Sequence, residues 1–150
     1  MLSSVRPVAD GAPGIAQIVA ECNRVRDLYG RLPVVRAAAL WIAPPTVDHD
    51  QARQLAALAA FVRAAVRYQA DPFNAEYIQT PDVMLSQIQE QGHAAGDCDC
   101  HCVLLASLCE ALGMAAEIIP ATLGAAPLPN HVVCLVHLDA GSEIIDPVKK

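Results

Sequence analysis

Apolar residues recur at helical spacing through the first two-thirds of the chain and change to alternation in the last third. Pro13 and Gly14 open a stretch in which Ile15, Ile18, Val19, Cys22, Val25 and Leu28 fall at helical spacing, and Gly30 closes it. A short apolar segment, Val34 to Ile42, follows Pro33 and stops at Pro44-Pro45. Asp48 is placed to cap a helix over His49 to Tyr68. Its inner face holds Leu55, Leu58, Phe61, Val62, Ala65 and Val66, with Arg53, Arg63 and Arg67 turned away. Asp71-Pro72 breaks the chain, and Phe73 to Thr80 reads as an irregular connection. Pro81 opens a short helix through Met84, Leu85 and Ile88. Gly92 and Gly96 bracket a turn, and a helix from about Asp97 to Leu112 stops at Gly113.

The period then changes. Ala116 to Thr122 is β-rich, Leu123 to Asn130 is a loop with Gly124, Pro127 and Pro129, and His131 to Leu138 is a strong strand. On that strand His131, Val133, Leu135 and His137 share one face, and Val132, Cys134, Val136 and Leu138 share the other. Asp139 to Ser142 is a hairpin turn, and Glu143 to Asp146 begins the next strand before Pro147 ends it. The expected architecture is α+β: N-terminal helices over about 14–91, then a core over about 96–148 in which one helix packs on a small antiparallel sheet. At 150 residues the whole chain is expected to be one domain.

Composition supports a packed core, with 54% apolar and only 17% charged residues. Aromatics are scarce, so Ala, Val, Leu and Ile must build the interior, with Trp41 expected among them. The net charge of −6 argues against a nucleic-acid partner, which calls for a basic patch. The arginines, mostly between Arg24 and Arg36 and between Arg53 and Arg67, have the spacing of solvated helix faces. No apolar run is long enough to span a bilayer, and Met1 to Gly14 lacks a secretory pattern, so the expected location is the cytoplasm. Four of the six cysteines crowd one short helical segment, which fits reduced thiols better than a secreted disulfide framework.

That segment, Gly96-Asp97-Cys98-Asp99-Cys100-His101-Cys102, is the most unusual in the chain. A cysteine in the first turn of a helix is expected to have a lowered thiol pKa, because the helix N-terminus favours negative charge. The backbone N–H of Cys98 is also a candidate donor to a developing oxyanion, with Gln79, Gln91 and Tyr77 as further candidates by position. A thiol nucleophile needs a base, and the base needs an orienting acceptor. His131 at the start of its strand and Asp146 near the next one fit these roles, on opposite sides of the hairpin, with a bulge or longer loop needed to bring them level. The plainer readings differ. Cys98 would be a buried structural thiol, Asp97 and Asp99 first-turn acids, His131 a strand-end histidine and Asp146 turn chemistry. Zinc on Cys98, Cys100, His101 and Cys102 is disfavoured, because Cys98 and Cys102 share a helix face while Cys100 points elsewhere. Cys109 and Cys134 are expected in the core, His137 in a structural or surface role, and His49 and His93 in caps or loops.

Gly96-Asp97-Cys98-Asp99, the helix from Val103 to Met114, His131-Val132-Val133 and Ile145-Asp146-Pro147 together resemble the transglutaminase-like superfamily of papain-like thiol enzymes. Arg67-Tyr68 before Asp71-Pro72, and Thr80-Pro81, are similar to the short bacterial and phage-type members, and the likeness runs roughly from Arg53 to Val148. It implies Cys98 as nucleophile, His131 as general base and acid, Asp146 as third member, and a protein or peptide substrate. It implies thioester chemistry on an amide, ending in hydrolysis (a peptidase or amidase) or in transfer to an amine. It implies no Ca²⁺ and no organic cofactor. One departure is Cys100, where the family often has a second acidic residue, followed here by His101 and Cys102. Two rival readings are a catalytically inactive binding or assembly module and a thiol-rich metal module. Leu123 to Asn130 is expected to flank the active-site mouth.

Overall fold

The computed structural model describes residues 3–7, 12–71 and 75–148; residues 72–74, which include the Pro72 break and the start of the expected irregular connection, lie outside it, as does part of the Pro- and Gly-rich start. The elements in order are β1 (Ser3–Pro7), α1 (Ala12–Tyr29), α2 (Pro33–Ile42), α3 (Gln51–Ala65), β2 (Val66–Tyr68), β3 (Ala75–Gln79), α4 (Pro81–Gln91), β4 (Ala94–Gly96), α5 (Cys98–Ala111), β5 (Ala115–Ala121), β6 (His131–Leu138) and β7 (Gly141–Ile145). The fold is α+β, with N-terminal helices and a small antiparallel sheet, as expected from the change of period.

The organising element is α5. Every residue from Asp99 to Cys109 is buried, and a helix covered on all sides belongs in an interior. It packs against α1, α2 and α3 on one side and against β5 and β6 on the other. Leu104, Leu105 and Leu108 are fully buried, each worth about 1.5–3 kcal/mol relative to exposure. Small residues Ala106, Ser107 and Cys109 let neighbouring backbones come close. Gly113, at φ +84°, takes the left-handed conformation that ends the helix. The sheet runs β5-β6-β7, all antiparallel. On β6 the face bearing Val132, Cys134 and Val136 meets α5. The Cys102 thiol donates to Val132 O (3.4 Å) and the Cys134 thiol to Cys102 O (3.4 Å).

Several local expectations change. The cap of α3 is Asp50, whose side chain accepts from Arg53 N–H, not Asp48. That helix stops at Ala65, and Val66–Tyr68 becomes β2, pairing in parallel with β4 inside the expected glycine turn. The expected irregular connection contains β3, antiparallel to β1. The hairpin turn is tighter than Asp139 to Ser142, since Leu138 already pairs with Gly141. Trp41 is 80% exposed rather than core, because α2 buries Val35 and Ala39 instead. The arginines are not simply solvated. Arg26 donates to Ala116 O, Arg36 to Ala111 O (3.1 Å) and Arg63 to Asp146 O (2.9 Å).

Candidate functional site

Gly96 and Asp97 set the start of α5. A Cβ at Gly96 would lie 2.5 Å from Cys100 Cβ and 2.9 Å from its Sγ, so only glycine lets β4 run into the first helical turn here. The Asp97 side chain caps the helix by accepting from Asp99 N–H (3.1 Å). Cys98 follows as the first helical residue, partly buried. Its sulfur is faced by two backbone N–H groups, its own and that of Val132. Val132 lies beyond the end of β7, whose pairing with β6 begins at Cys134. Its partner on β5 is Pro120.

His131, immediately before Val132, is 7% exposed. Its Nε2 meets Asp146 Oδ2 at 2.9 Å. Continuing the β6–β7 register past Ile145 puts Asp146 beside Val133, two residues along from His131 and on the same face. The acid therefore reaches the imidazole diagonally across the pair, with no bulge. Asp146 is itself pinned. Oδ1 accepts from Val148 N–H (3.0 Å), and its carbonyl accepts from Arg63 (2.9 Å). With Nε2 engaged, Nδ1 is the ring nitrogen left for another partner. No hydrogen bond joins Cys98 to His131 among the described residues. The Cys98 thiol is directed to Asp99 Oδ1 at 3.7 Å.

The electrostatics differ from the expectation for a helix N-terminus. Burial pushes the Cys98 thiol up to about 11, the Asp97 carboxylate adds to this, and the two N–H groups oppose it. Desolvation and a neighbouring negative charge outweigh the helix dipole, so the resting group is a thiol rather than a thiolate. The same burial raises Asp97 and Asp99 to about 7, with the charge of Asp71 as the next cause for both. Asp71 and Asp97 are hydrogen-bonded to each other through their carboxyl groups, and Asp71 also accepts from Tyr77 N–H. The first-turn acids thus belong to a buried carboxyl cluster around Cys98. Burial also holds Cys22, Cys100, Cys102 and Cys109 well above the ordinary thiol range.

Cys100, His101 and Cys102 diverge. The Cys100 thiol donates to Tyr77 O (3.4 Å), the His101 ring faces Asp97 O and Val66 O, and the Cys102 thiol points to Val132 O. Among the described residues no three His, Cys, Asp or Glu side chains are placed to hold a metal ion. A cleft of about 450 Å³ adjoins Gly96, lined by Asp71, Tyr77, Gln79, Gln87 and Gln91 among others. Gln79 is fixed in its wall, donating to Ala95 O (2.5 Å) and accepting from Gln87 (2.9 Å). Asp71 and Arg63 have no role that their sequence setting singles out, and His101 stands out there only as a metal-ligand candidate. Asp71 carried only the signal of a chain break before proline, and Arg63 that of an outward helix face.

The α+β arrangement, with N-terminal helices and a small antiparallel sheet, broadly matches a papain-like architecture. It is similar to the crystal structure of a "putative cysteine protease" from Cytophaga hutchinsonii, with a TM-score of 0.55 and 14% identity over 98% of this chain and 49% of that one. The chain spans about half the length of that structure, and the likeness is one of fold. No family model matches the chain, and no curated protein matches it. No helix among the described residues is long and apolar enough to cross a membrane.

Proposed function

We propose that this chain, taken as one domain over residues 1–150, is a transglutaminase-like thiol enzyme. It cleaves amide bonds of a protein or peptide through a thioester on Cys98. His131 Nδ1 takes the thiol proton as Cys98 Sγ attacks the amide carbonyl. The tetrahedral intermediate collapses, His131 returns the proton to the leaving amine, and a thioester remains. Water, or an amine in a transfer reaction, then attacks the thioester with His131 again as base; the S–C bond breaks, the acid or new amide leaves, and the Cys98 sulfur takes the proton back from His131. Asp146 holds the imidazole with Nδ1 free and stabilises the imidazolium that forms. A thiol kept neutral by burial needs such a base at the moment of attack, so the raised Cys98 pKa fits this order of events.

The observation that carries this reading is one of adjacency. The buried His131–Asp146 pair lies next in sequence to the Val132 N–H that faces Cys98 Sγ. The test is alkylation of the folded protein with sub-stoichiometric iodoacetamide near neutral pH, mapped by mass spectrometry. Cys98 should label ~10-fold or more faster than any of the other five thiols. His131→Ala should remove that advantage. Labelling of Cys98 no faster than Cys100 or Cys102, or indifference to His131→Ala, sinks the proposal.

A further inference from the structure

The buried imidazole of His101, 2% exposed, takes no part in the chemistry above. Each of its nitrogens faces a backbone carbonyl oxygen: Nδ1 meets Asp97 O at 2.6 Å, and Nε2 meets Val66 O at 3.2 Å. A carbonyl only accepts, so the closer contact requires a proton on Nδ1. Asp97 O also accepts the helical bond from His101 N–H (3.2 Å) and so carries two donors from one residue.

That carbonyl belongs to the same peptide plane as the N–H of Cys98. In a planar trans peptide, C=O and N–H point in opposite directions. Gripping Asp97 O therefore aims the Cys98 N–H, which faces the Cys98 sulfur. Two donors on the oxygen also polarise the amide and strengthen its N–H as a donor. The second nitrogen lies 3.2 Å from Val66 O, at the junction of α3 and β2, and the Tyr68 ring lies 6.4 Å from the imidazole.

We propose that His101 is a positioning residue for oxyanion stabilisation, orienting and polarising the Asp97–Cys98 peptide through an Nδ1–H bond to Asp97 O. The proposal rests on Cys98 being the nucleophile. It separates two kinds of electrophile. Addition of the thiol to a peptide aldehyde forms an S–C bond and breaks the C=O π bond. The oxygen becomes anionic before it takes the thiol's proton by way of His131. Iodoacetamide forms an S–C bond and releases iodide at a saturated carbon, with the thiol proton passing to His131, and develops no oxyanion.

In His101→Phe, which retains a ring but no donor, affinity for an acetyl-peptide aldehyde should fall ~10-fold, a fraction of the loss seen when an oxyanion donor is deleted outright. The rate of Cys98 alkylation by iodoacetamide should stay within about twofold, since no oxyanion is stabilised there. Equal losses with both probes, or no loss with the aldehyde, overturns the role of His101 and leaves the thiol-enzyme reading standing. Wild-type Cys98 that reacts with neither probe ends that reading, and this one with it. Should His101→Phe fail to fold, the imidazole ¹⁵N spectrum of the native protein decides. A protonated Nδ1 on His101 supports the proposal, and a bare Nδ1 refutes it.

Discussion

Strand β6 carries a histidine near each end, and the two ends are built differently from similar parts. At its start, His131 Nε2 meets Asp146 at 2.9 Å with both side chains largely buried. Towards its end, His137 Nε2 meets Glu117 at 3.3 Å and Nδ1 meets Ser142 Oγ at 2.8 Å, with the His137 and Glu117 side chains about half exposed. A serine, a histidine and an acid in contact therefore occur on an open sheet face, where cross-strand neighbours meet and water screens their charges. At the His131 end the acid is held by Val148 N–H and Arg63, and a thiol lies against the next backbone N–H. Contact between an acid and a base does not by itself make a site; the two ends differ in how far water is excluded and in how firmly the acid is held.

Three outcomes would sharpen or break this contrast. The largest is expected from the histidines themselves. With any amide or thioester substrate found for the protein, His131→Ala should lower the rate of Cys98 acylation ~10²–10⁴-fold, while His137→Ala should leave it within experimental error. Comparable losses from both would mean that the strand as a whole, and not its buried end, supports the activity. The acids come next. Asp146→Asn should cost at least ~10-fold in the same rate because the imidazole loses its orienting carboxylate, and Glu117→Gln should cost nothing measurable. An unchanged rate in Asp146→Asn would reduce its contact with His131 to structure.

The smallest effect is on stability and concerns the carboxyl cluster beside Cys98. Asp97 and Asp99 are raised from 3.8 to about 7 in the folded protein. The fold therefore holds protons that the unfolded chain releases. Their stabilising contribution is complete below 3.8 and is lost as pH rises towards about 7. Melting temperature, followed by circular dichroism, should fall across that window and fall less steeply in Asp97→Asn. Glu117→Gln at the exposed end should leave the slope as it is. A wild-type melting temperature that rises through the window contradicts the burial of these acids.

Much of this molecule is legible along the chain because its cues are local. The span of α5, bounded by Gly96-Asp97 and Gly113, follows from punctuation and apolar content. The alternation from His131 to Leu138 specifies a strand and puts Cys134 and Val136 on one face, which the structure turns inward. Cys98, His131 and Asp146 stand out because of their immediate neighbours. The tertiary structure decided what depends on distant partners. Three-residue strands such as β2 and β4 carry too little pattern to announce themselves and exist because they pair with each other. Trp41 faces outward because α2 turns a different stripe to the core. The diagonal reach of Asp146, the clasp of Arg63 on its carbonyl and the joining of Asp71 to Asp97 are long-range contacts with no local signature. The direction of the Cys98 thiol shift belongs with them. A helix N-terminus can be read from sequence, but burial and the carboxylates that gather around the sulfur arise only when the chain folds, and desolvation is the larger force.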